Sequence, residues 1–167
     1  DPPPSASFSQ ARDLLRELQT LDNNGRINAH GRTLARIGAH PRLAHMMVRG
    51  AERGLRRPAL QIAALLNERD LLRVGGGRDV DLRLRIDALR EGRTPIGATI
   101  DNAVRQRVLR SIELLDRQVQ TPAVKELAYH DEDAGTLLAD DLGGDGAVAG
   151  TGARIRDTRK TLSGLRL

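Results

Sequence analysis

The residues of this chain best equipped for chemistry are four histidines and 27 basic side chains, of which only Lys125 and Lys160 are lysine. His30, His40, His45 and His130 offer imidazole for proton transfer or metal binding. His40 and His45 stand five positions apart, so a helix turns them to different faces, and no carboxylate sits at ligand spacing beside them. Each histidine is therefore expected at the surface or at a helix end. A phosphate-binding loop requires Gly-x-x-x-x-Gly-Lys-Ser/Thr, and neither lysine follows a glycine. No serine has the Gly-x-Ser-x-Gly surroundings of an activated nucleophile. Asp140-Asp141 lies in a glycine-rich stretch without partners and reads as a solvated acidic linker. The expectation is a chain without catalytic residues, cofactor or metal, and not an enzyme on its own.

The arginines suit a different task. A guanidinium is a planar fork that matches phosphate, and each phosphate neutralised adds to the salt dependence of binding. Arg42, Arg49 and Arg53 fall within about 40° of one another on a helix at 3.6 residues per turn. Arg107, Arg110 and Arg117 form a second stripe. Both groups are candidate contacts to an RNA or DNA backbone, and the competing reading is a plain solvated helix face. Phe8 and Tyr129 are the only aromatics, too few for a base-stacking platform, so any such binding is expected to be backbone-directed and sequence-tolerant. Arginine codons are GC-rich, which by itself accounts for much of the arginine excess.

Helices must carry these stripes, and the apolar pattern supplies them. Phe8, Ala11, Leu14, Leu15, Leu18 and Leu21 fall on one helical face, followed by a turn at Asp22-Asn23-Asn24-Gly25. Arg26-Ile27 suits one side of a small hairpin, and Asn28 suits the cap of a helix closed by Gly38. Pro41 and Pro58 each fit the first position of a helix, the first of these ending at Gly54. Gly75-Gly76-Gly77 marks a break. Val80, Leu82, Leu84 and Ile86 alternate with charged residues as in a strand, yet they also fit a helix face, and the helical neighbours favour a helix. Thr94-Pro95 and Gly97 read as a loop, residues 99–120 as one long helix, and a short helix is expected to reach Tyr129.

Composition sets the wider limits. The chain of 167 residues is 39% hydrophobic and 29% charged, within the range of a soluble globular protein. Its core must be aliphatic, without the large rings that contribute most burial per residue, so modest stability is expected. The absence of cysteine excludes disulfides and thiolate metal sites. No apolar run is long enough for a bilayer, and no signal peptide opens the sequence, so the cytoplasm is the expected compartment. A first residue of Asp1 rather than Met suggests a processed or excised segment. Residues 1–121 balance at +7 and residues 122–167 at −2. Residues 131–146 hold six acidic residues and no basic one, which places a boundary near residue 130.

Several stretches in order resemble a known family. DPPP, ARDLLRELQTLD, GRINAHGRTLARIGAHPRLAHMM, AALLNERDLL and DVDLRLRIDALR are similar to the helicase-associated region of bacterial DEAH-box helicases of the HrpB type. The most specific pieces are His30-Gly31-Arg32, the run from His40 to Met46, and Glu68-Arg69-Asp70. The resemblance covers about residues 1–120. It implies a winged-helix remnant over 1–40 and a helical, ratchet-like bundle over 41–130, units that pack on two ATPase domains and help hold the moving strand. Those ATPase domains would be partners, and Arg32 and His40 would serve domain packing or nucleic acid. Residues 147–167, AVAGTGARIRDTRKTLSGLRL, resemble a signature of quinolinate phosphoribosyltransferase, and TLLADDLGGDG is similar to that family's N-terminus. This second resemblance implies that Arg159 and Lys160 meet anionic substrate. Ser163 and Arg156 depart from that pattern, and one strand cannot make a barrel site, so no activity is expected from it.

The sequence is thus expected to be mainly α, a winged-helix remnant plus a small helical bundle, with a Gly/Asp-rich, poorly ordered tail over 131–167. Its expected function is that of an accessory nucleic-acid-binding and docking fragment of an ATP-dependent helicase. Two alternatives stand beside it: an interaction module for an acidic protein partner, and a remnant of the phosphoribosyltransferase. The two resemblances together suggest a truncated fusion, a recombined reading frame or an assembled sequence. The oligomeric state stays open.

Overall fold

The computed structural model describes residues 4–74 and 81–121. It is mainly helical. Six helices, α1 (Ser5–Glu17), α2 (Ala29–Ala35), α3 (Pro41–Glu52), α4 (Arg56–Asn67), α5 (Leu82–Glu91) and α6 (Asn102–Gln118), accompany two short strands, β1 (Leu72–Val74) and β2 (Ala98–Ile100). The expected short helix to Tyr129, the boundary near 130 and the tail lie outside the described residues. Among the described residues no helix is long and apolar enough to cross a membrane.

The helix starts follow local chemistry. The Asn28 side chain accepts from the Gly31 amide and so caps α2. Pro41 opens α3, where a missing N–H costs nothing, and His40 caps it by accepting from the Arg42 amide. Asp81 and Asp101 cap α5 and α6 in the same way, Asp101 accepting from both Ala103 and Val104. At the far end of α3, Gly54 adopts φ 77°, a conformation that costs a residue with a Cβ.

Helix α4 is the centre of the packing. It contacts α3, α5 and α6, and α3 in turn contacts α2. Every residue from Pro58 to Leu65 is buried, so α4 is covered on all sides rather than amphipathic. The core comprises Leu43, Met46 and Met47 from α3, Ile62 from α4, Ile86 and Leu89 from α5, and Val104, Val108 and Leu115 from α6. Leu34 and Ile37 join the same cluster, so packing runs across residues 40 and 41. Met46 and Met47 are wholly buried. Their unbranched side chains fill irregular space that rings would fill elsewhere.

Several sequence expectations need correction. The first helix stops at Glu17 and not near Leu21, because Gln19 turns to φ 53° and Leu21 pairs with Ile27 in an isolated antiparallel bridge. That bridge is the hairpin side expected at Arg26-Ile27. Helix α2 ends at Ala35, before Gly38, whose amide instead donates to the Gln118 side chain at 3.0 Å. Pro58 occupies the third rather than the first position of α4, still within the turn whose amides have no helical acceptor. The long helix begins at Asn102 and not at 99, because residues 98–100 pair antiparallel with 72–74 in β2 and β1. Leu82–Glu91 is a helix, as its neighbours implied, with Ile86, Ala88 and Leu89 buried.

Candidate nucleic-acid interface

An arginine can bind an external anion only where the fold has not already committed it. The first stripe is largely committed. Arg42 donates to Glu17 on α1 at 3.1 Å, and Arg49 to Glu52 at 3.1 Å one turn along α3. Arg53 also has an interaction partner. The six residues Leu43–Val48 are all buried, which leaves α3 a narrow solvent face, where Arg42 meets Glu17 of α1 and Arg49 meets Glu52.

Other arginines act as internal struts. Arg56 donates to the Asp116 carboxylate at 2.7 Å, to the Asp116 and Val119 carbonyls at 2.7 and 2.8 Å, and to Thr121 Oγ1 at 3.2 Å. It thereby satisfies the open carbonyls at the end of α6. Arg85 grips both carboxylate oxygens of Asp70 as well as the Asp81 carbonyl. Arg90 donates twice to the buried Gln61, and Arg105 twice to the Leu89 carbonyl. Arg73 holds Asp101, and that hydrogen bond, with the Val104 amide second, keeps the Asp101 carboxyl below its usual range.

The second stripe differs. Helix α6 turns Val104, Val108 and Leu115 inward and leaves Arg107, Arg110, Leu114 and Arg117 exposed. Among the described residues Arg110 and Arg117 have neither ion pair nor hydrogen bond. Among the same residues Arg107 has one loose pair, Nε to Glu68 Oε2 at 3.5 Å. Arg110 and Arg117 stand two turns apart, about 10 Å along the axis. Leu114 lies between them and is 56% exposed. This face joins exposed cations with one apolar side chain and with Glu113, which stands three residues after Arg110 and four before Arg117, and it can attract an extended anion without displacing any strong internal bond.

The remaining candidates fall elsewhere. Arg32 donates from Nη1 to the Ile27 carbonyl at 3.0 Å, which ties α2 to the bridge. His40 is a helix cap. Arg159 and Lys160 lie outside the described residues. His45 corrects the expectation of four surface or helix-end histidines. It is buried within α3, and its Nδ1 lies 2.9 Å from Nε2 of His30 on α2. Burial first, then the neighbouring His30 and Arg49, lowers the His45 pKa to about 4. The pair holds two helices together. Among the described residues no group of three or more His, Asp or Glu could hold a metal ion.

The sequence alone did not reveal which arginines were committed. Their partners lie up to 65 positions away, as with Arg56 and Thr121, and no local pattern reports such a distance. The conspicuous Glu68-Arg69-Asp70 run proves to be a junction: Glu68 meets Arg107, while Asp70 meets Arg85 and accepts from the Leu72 amide. A search of protein-family models gives no match to this chain.

Proposed function

We propose that this chain is a helicase-associated accessory fragment that holds a nucleic-acid backbone through the outer face of α6. The observation that carries the reading is the contrast between Arg110 and Arg117, exposed and without partners among the described residues, and the strut arginines Arg56, Arg85, Arg90 and Arg105. Phosphate contact by such side chains is electrostatic and sequence-independent. The resemblance of residues 1–120 to helicase-associated regions supports this reading, with helicase ATPase domains as further partners. The mechanism is passive: the fragment positions a strand and performs no chemistry on it.

The test is a titration of the full chain with a labelled ten-nucleotide uridine RNA over a series of salt concentrations. Replacement of Arg110 and Arg117 by Ala should weaken binding and flatten the log–log salt slope by about 1.4, at roughly 0.7 per phosphate contact on a single strand. Absence of binding at low salt, or an unchanged slope in the double variant, refutes the reading.

The exposure of Leu114 favours a second reading, in which α6 docks on an acidic protein surface. Apolar contact contributes at such an interface and very little on a phosphate chain. A Leu114→Ser change that leaves RNA binding intact but abolishes docking to isolated helicase ATPase domains would identify that role.

A further inference from the structure

Besides Glu113 on α6 itself, an acidic residue from another element, Glu68, stands beside the α6 face. Glu68 ends α4, and its carboxylate meets Arg107 at 3.5 Å. A charge-assisted bond between such groups is normally about 2.7–2.9 Å, so this pair is loose. Both partners retain access to water, Arg107 at 44% and Glu68 at 25% side-chain exposure. The next residue, Arg69, is exposed and has no ion pair or hydrogen bond among the described residues. Two elements, the end of α4 and the first half of α6, therefore bring Glu68 and Arg107 together, with Arg69 following Glu68 in the chain and Arg110 a turn further along α6.

The chemistry of a carboxylate beside a phosphate-binding guanidinium is competitive. Each offers the arginine fork anionic oxygens, and they cannot both occupy the same donors. A carboxylate left behind then repels the arriving anion. We propose that Glu68 is the resident counter-ion of Arg107, displaced when a phosphate backbone binds, and that Arg69 extends the site onto the α4–β1 turn. Glu68 thereby limits affinity and keeps the strand exchangeable, as suits a fragment that must let a strand move. Its neighbour Asp70 cannot act in this way, because Arg85 holds both of its oxygens and is itself only 13% exposed.

This inference rests on the phosphate-binding reading of α6. Its test is a double-mutant cycle on the full chain with the same ten-nucleotide uridine RNA at low salt, using Glu68→Gln, Arg107→Ala and the pair together. Glu68→Gln should tighten binding by about threefold to fivefold, the scale of one exposed ion pair. The gain should vanish in the Arg107→Ala background, and Arg69→Ala should weaken binding and flatten the salt slope by about 0.7. If the natural chain binds the RNA but Glu68→Gln does not tighten it, or tightens it equally without Arg107, the counter-ion role is overturned while the α6 reading stands. If neither the natural chain nor Glu68→Gln binds the RNA, both fall.

Discussion

Acidification should act on this fold through one buried imidazole. His45 has a pKa lowered from 6.5 to about 4, and it is only 9% exposed, so solvent offers little relief to a charge placed there. His30, also lowered by burial first and then by Arg49, can carry a proton and still donate to a neutral His45. A second proton removes the acceptor and sets two cations with ring centres 5.0 Å apart. Arg49 and Arg53 add to that repulsion, and Glu52 opposes it. Because the folded pKa lies below the unfolded one, the unfolded chain takes up the proton first. Stability is therefore complete above about pH 6.5 and declines as the pH falls toward 4. One pKa unit corresponds to about 1.4 kcal/mol, so the loss between pH 7 and pH 4.5 is on the order of 2 kcal/mol. Urea unfolding of the natural chain and of His45→Gln across that range measures it. The natural chain should lose about 2 kcal/mol more than the variant, whatever their difference at pH 7. Equal losses would refute the assignment of acid sensitivity to His45.

Two further outcomes follow from close packing and from the strut arginines. Gly31→Ala places a Cβ 2.4 Å from the Thr20 carbonyl oxygen and 2.7 Å from Ile27, so the bridge must move. A loss of about 1–3 kcal/mol is expected by urea unfolding, and a neutral result would show that the segment yields freely. Arg56→Ala removes the donors that close the end of α6 and should cost about 2 kcal/mol. Hydrogen exchange should quicken in the last turn of α6 before it does in α4, and uniform exchange across both helices would contradict the clamp.

Much of what depended on neighbours in the chain was legible in the sequence, although the ends of α1 and α2 and the start of α4 were not. Asn28 stands three residues before the amide it caps, Pro41 needs only its own ring to open α3, and the spacing of Val104, Val108 and Leu115 selects the inner face of α6. The outer arginines were legible for the same reason, since the opposite side of an amphipathic helix is determined by the period alone. Tertiary structure decided which of those arginines are available. Arg42 reads like Arg110 in the sequence, but a carboxylate 25 positions earlier holds it. The β1–β2 pairing was hidden because three-residue strands carry almost no periodic signal, and their partners are separated by a whole helix. The His30–His45 contact spans 15 positions and two helices, so residue spacing gave no warning of a buried imidazole. Periodicity reports a direction from the helix axis, while commitment of a charge depends on what the fold brings to within 3 or 4 Å of it. Only packing determines that distance.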